Sequence, residues 1–163
     1  MVGEDMMTRW AMYANTPLSG NVKQKIYPQL AAILKMMDNK EMAAEWLLYW
    51  VQTAFVYEYD DKVWGHDRAF FVEETLNYPF CDCEDRAILY SRLVRDLLGF
   101  DVLLVYYPGH LATAVAFDTP IDGDYVEIEG IKYTICDPTY IGAPIGASMP
   151  DLDNTKAKVI LLK

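Results

Sequence analysis

The hydrophobic period of this chain changes once, at Gly99, and that change limits what it can fold into. Before Gly99 the apolar residues recur at helical spacing. Val22, Ile26, Leu30, Ile33, Leu34 and Met37 form one such series. Met42, Trp46, Trp50 and Ala54, with Ala43, Leu47, Val51 and Phe55 beside them, form a second, broader face over about 41–57, which predicts a central core helix. Ala87, Tyr90, Val94, Leu97 and Leu98 form a third over 83–98. After Gly99 the apolar runs are short, branched and separated by turn signals. "DVLLVYY" and "LATAVAF" flank "PGH", and "YVEIEGIKYTI" carries Glu129-Gly130 where a hairpin turns. Helices first and an antiparallel sheet second define an α+β class.

Punctuation along the chain refines this reading. Residues 1–20 give mixed signals and end in the turn-rich "TPLSGN". Pro28 should break or kink its segment, or open a second helix. Asp38, three residues before Glu41, has the pattern of a capping box. Asp82 can cap the next helix and Gly99 can end it. "AKVILLK" offers one last strand. At 163 residues and 53% apolar composition the chain makes a single domain with a sizeable core. We divide it into a helical extension over 1–40, a core over 41–140, and an irregular tail over 141–163 ending in that strand.

The formal net charge of −10 argues against nucleic acid as a partner, because a duplex binder displaces counterions with a basic stripe. No run has the apolar length of a membrane span. The opening "MVGEDMMTRW" lacks a basic n-region followed by an apolar stretch. A cytoplasmic protein and a trimmed form of an exported one both fit. No D-x-D-x-D-G pattern indicates calcium, and no other cofactor is expected.

Three cysteines cannot all pair internally, which directs attention to thiol chemistry. Cys83 opens a predicted helix, where unpaired N–H groups and the helix dipole favour a thiolate. Asp82, Glu84 and Asp85 oppose this, so a neighbouring imidazolium would be needed. Taken alone, a cysteine in this position is more often inert. Cys81 gains less from the helix end, and Cys136 reads as a buried, hydrophobe-like thiol. Cys81 and Cys83 are a poor match to zinc-ligand spacing, so no metal is expected.

Of the two histidines, His66 in "WGHDR" reads as a loop surface residue, and His110 follows "YYPG" at a bend between strands. Asp137 in "ICDPTY" ends a strand and would ordinarily be a turn former. The set is more informative than its members: a helix-opening cysteine, then a histidine and an aspartate at adjacent strand ends. The long segment 61–80, with Trp64, Phe70, Phe71, Tyr78 and Phe80, either walls a cleft or anchors itself to the core.

"CDCEDRAILYSRLVRDLLGFDV" resembles the nucleophile motif of the transglutaminase-like superfamily, G-D-C-x-D-x-A followed by an aliphatic helix. "GHLATAVAF" resembles that family's histidine strand, "YTICDPTY" its aspartate strand, and "EETL" the segment before the cysteine. The motifs occur in the family's order over about 46–140, and the chain looks closest to bacterial transglutaminase-like cysteine proteases. The resemblance implies a papain-like fold, with a nucleophile helix packed on an antiparallel sheet. It places the nucleophile on Cys83, the general base on His110, the orienting carboxylate on Asp137 and a structural role on Asp85. Cys81 stands where the family usually has glycine.

The activity so implied is that of a cysteine hydrolase of amide bonds, a peptidase acting on a peptide or protein substrate. The alternatives are an acyltransferase that passes the thioester to an amine, and a non-catalytic binding module of the same fold. The backbone N–H of Cys83 is the first candidate oxyanion donor. Gln52 is a further guess, against the reading that its helical position faces solvent.

Overall fold

Among the described residues of the computed structural model (4–17, 19–54, 56–57, 80–81, 83–152 and 154–162), four α-helices precede a five-stranded antiparallel sheet. The helices are α1 (Glu4–Asn15), α2 (Gly20–Leu34), α3 (Lys40–Ala54) and α4 (Cys83–Leu98). Two short strands, β1 (Val56–Tyr57) and β2 (Phe80–Cys81), pair in parallel between α3 and α4. The main sheet comprises β3 (Asp101–Tyr107), β4 (His110–Ala116), β5 (Tyr125–Ile128), β6 (Ile131–Cys136) and β7 (Lys158–Leu161). Its order is β5-β6-β4-β3-β7, and each neighbouring pair is antiparallel.

Local chemistry accounts for most of these boundaries. Gly99 adopts φ +74° and donates its N–H to the carbonyls of Val94 and Arg95, closing α4 as expected of a C′ glycine. Pro108-Gly109 joins β3 to β4, with Gly109 at φ +79°. Glu129 and Gly130 take φ 52° and 80°, the left-handed pair that a tight two-residue hairpin requires.

Three expectations need correction. Pro28 does not interrupt α2. It lies on the exposed side, where water can satisfy the carbonyl its missing N–H leaves, and Gln29 Nε2 donates to Lys25 O at 3.1 Å nearby. The N-cap of α3 is Asn39, not Asp38, because Asn39 Oδ1 accepts from Met42 N at 2.8 Å. Residue three of that cap is therefore Met42, so Asp38 and Glu41 form no capping box. Finally, α3 ends at Ala54, and its buried stripe is Ala43, Ala44, Leu47, Leu48, Val51 and Gln52. Met42 is exposed, while Trp46 and Trp50 stack on each other half-buried, 6.5 Å between centroids.

The most enclosed helix is α4, in which every residue from Asp85 to Val94 is buried. It packs on α3, α1, β3 and β4. The sheet pleat separates two apolar clusters. Val102, Leu104, Leu111, Val115 and Cys136 join Leu47, Leu48, Ile88 and Leu89 of the helices. Leu103, Val105, Tyr107, Ala112, Ala114 and Ile135 form a smaller cluster on the other face. Cover on both faces explains why β3 and β4 are almost continuously apolar.

Candidate active site

Cys83 is the first residue of α4, with a half-buried thiol packed against the main core. Two bonds fix the helix that carries it. Arg86, fully buried, donates from Nη1 to the Gln52 carbonyl at 2.9 Å, and Tyr90 Oη donates to the Ala44 carbonyl at 2.9 Å. The first tie supplies a donor to the last turn of α3, where helix carbonyls lack partners. Asp85 is also fully buried, and Glu84 is half-buried.

His110 is the first residue of β4, and Asp137 directly follows the last residue of β6. The two strands are neighbours, with Thr113 opposite Cys136 and Thr113 Oγ1 donating to Cys136 O at 2.6 Å. This places the two side chains together. His110 Nε2 lies 2.6 Å from Asp137 Oδ2, a short charge-assisted contact, with His110 9% and Asp137 1% exposed. The other carboxylate oxygen, Oδ1, accepts from Thr139 N at 2.9 Å and Tyr140 N at 3.3 Å. Asp137 is thus both the turn former its Asp-Pro context suggests and the partner of the imidazole. Because Asp137 takes Nε2, Nδ1 is the ring nitrogen left to exchange a proton with a substrate or a thiol. Strand β4 is one of the elements on which α4 packs.

Sequence reasoning did not single out Tyr107 as part of this region. It stands opposite His110 across the Pro108-Gly109 turn, with ring centroids 6.4 Å apart. Its hydroxyl is held above the usual tyrosine range by burial first, and by the charges of Asp137 and Asp124. It therefore remains a neutral O–H at physiological pH. On the smaller cluster's face Tyr107 also lines a half-open cavity of about 380 Å³, together with Asp124, Ile135 and Ser148. Its place was legible, since the residue immediately before a two-residue hairpin turn lies across from the residue immediately after it.

Gln52 corrects the expectation of a solvated face, being 0% exposed. Its Nε2 donates to Asp137 O and to Ala143 O, both at 3.1 Å, and its Oε1 accepts from Gly142 N at 3.1 Å. Both amide N–H bonds are directed at protein carbonyls, so Gln52 is not an oxyanion donor in this arrangement. The signal was present in the sequence: Ala44, Leu48 and Gln52 follow one another at i, i+4 on a single helix face.

Cys136 is fully buried, and burial pushes its thiol well above the ordinary range. Limiting iodoacetamide applied to the native protein near pH 6 is expected to label Cys83 and leave Cys136 unmodified until denaturant is added. Peptide mapping checks this, and native labelling of Cys136 ahead of Cys83 would contradict the assignment. His66, Asp82 and the proposed aromatic wall of Trp64, Phe70, Phe71 and Tyr78 lie outside the described residues, as do the side chains of Phe80 and Cys81.

Among the described residues no group of three or more His, Cys, Asp or Glu side chains converges as a metal cage, and no helix is long and apolar enough to cross a membrane. No protein-family model and no curated protein matches this chain.

Proposed function

We propose that the protein is a papain-like cysteine hydrolase of amide bonds, a peptidase of the transglutaminase-like type, with Cys83, His110 and Asp137 as its catalytic triad. The observation that carries this reading is the buried 2.6 Å contact between His110 Nε2 and Asp137 Oδ2, on a strand against which the Cys83 helix packs. A buried imidazole oriented by a carboxylate that is itself fixed by two backbone N–H groups is the second half of such a triad.

In this reading His110 Nδ1 takes the proton of Cys83, and the resulting thiolate is stabilised by the N-terminus of α4. The thiolate attacks the amide carbonyl, and the Cys83 N–H supports the developing oxyanion. His110 returns its proton to the leaving amine, leaving a thioester on Cys83. Water then attacks the thioester, with His110 as base, and releases the acid. Asp137 keeps Nε2–H in place, which leaves Nδ1 for proton exchange with the thiol, and stabilises the imidazolium.

A labelled peptide library incubated with the protein, with and without a primary amine, tests the reading. Hydrolysis products that do not depend on the amine are expected. Amide products formed only with the amine would replace hydrolysis with acyl transfer. Turnover that persists unchanged in a His110→Gln variant would overturn the triad.

A further inference from the structure

We propose that Gln52 is a positioning residue that acts through Asp137. Six positions separate Asp137 from Ala143, and the Gln52 amide holds both ends of that turn, with Nε2 on the Asp137 and Ala143 carbonyls and Oε1 on Gly142 N. Two further bonds, Tyr140 N to Asp137 O at 3.3 Å and Ala143 N to Tyr140 O at 3.0 Å, run within the turn. Asp137 is thereby held at its carbonyl by Gln52 and at Oδ1 by Thr139 and Tyr140, which leaves Oδ2 aimed at His110.

Gln52 is itself located by the nucleophile helix, since Arg86 donates to its carbonyl three residues after Cys83. Three hydrogen bonds, linked through the covalent frames of Gln52 and Asp137, therefore join the helix of the nucleophile to the carboxylate and its imidazole: Arg86 to Gln52 O, Gln52 Nε2 to Asp137 O, and Asp137 Oδ2 with His110. All four are buried, so water does not compete for these bonds. The chain sets the spacing between the two halves of the site. A shift of α3 along α4 would be felt at Asp137 as a change in the angle presented to the imidazole.

This inference rests on the triad reading, and the test separates the two. The downfield proton resonance of the His110–Asp137 hydrogen bond is recorded by NMR, with kcat and KM measured on the best library peptide. Asp137→Asn is expected to abolish the resonance; if the resonance survives, the His–Asp half of the reading fails. Gln52→Met fills the same space without the polar ends. It is expected to shift or broaden the resonance and lower kcat about tenfold to a hundredfold, with KM little changed. Leu47→Ala on the same helix supplies a destabilised control that keeps the resonance. Gln52→Asn, too short to span the turn, serves if the Met variant does not fold, and the same loss is expected of it. A wild-type resonance and kcat in a folded Gln52 variant, with Asp137→Asn silent, overturns the positioning role and leaves the triad standing.

Discussion

The Cys83→Ser protein is expected to keep its fold and to lose roughly a thousandfold or more of kcat/KM towards any amide the wild type cleaves. The substitution is nearly isosteric at a half-buried helix N-terminus, so the packing of Cys83 against the core is preserved. A serine hydroxyl is not ionised by an imidazole as a thiol is, and the helix terminus cannot compensate for that difference in acidity. Melting temperature and single-turnover trapping of the acyl-enzyme, measured on both proteins, read the two halves of the expectation. A serine variant with near wild-type turnover would remove Cys83 from the mechanism altogether.

Arg86→Ala is expected to destabilise the protein by about 2–4 kcal/mol, from the loss of a buried charged donor and the space left behind. Arg86 is fully enclosed and reaches the Gln52 carbonyl at 2.9 Å, so its removal takes a buried donor from that carbonyl. Arg86→Lys is expected to recover only part of the loss, because an ammonium cannot reproduce the planar fork of donors. Urea titrations of the three proteins give the ordering. A midpoint for the alanine variant equal to wild type would show that the tie between α3 and α4 contributes nothing.

The two ends of α4 were legible because each depends on its own neighbours. Asp82 stands before Cys83 in the sequence and Glu84 and Asp85 fall in the first turn, while Gly99 supplies the left-handed residue that stops the helix. The hairpin at Glu129-Gly130 was legible for the same reason. Helix α1 was not. Its C-terminal carbonyls at Ala14 and Asn15 accept from Arg92, and Arg95 donates to Ala14 O and Asn15 Oδ1. Thr16 closes the turn locally, from its N–H and its hydroxyl to Met12 O, but the arginines that satisfy the last two residues are far away in sequence, beyond the reach of any local pattern. Asp96 extends the same tie to α2, through Arg92 at 2.7 Å and the Tyr27 hydroxyl at 2.6 Å. At the candidate site, the meeting of His110 and Asp137 followed from two strand ends read as adjacent. Gln52 was read as solvated because the buried stripe of α3 was placed one residue around the helix from where it lies.

Strand β7 matters for more than its own contacts. It pairs Leu103, Leu104, Val105 and Tyr106 of β3 with Leu161, Ile160, Val159 and Lys158, and so covers one side of the sheet's most apolar strand. Were β7 to fray, β3 would present a row of open N–H and C=O groups flanked by branched side chains, a template for another extended chain. A four-residue strand thus closes this side of β3, and a local opening there would expose the edge while the helices and the candidate site stay intact.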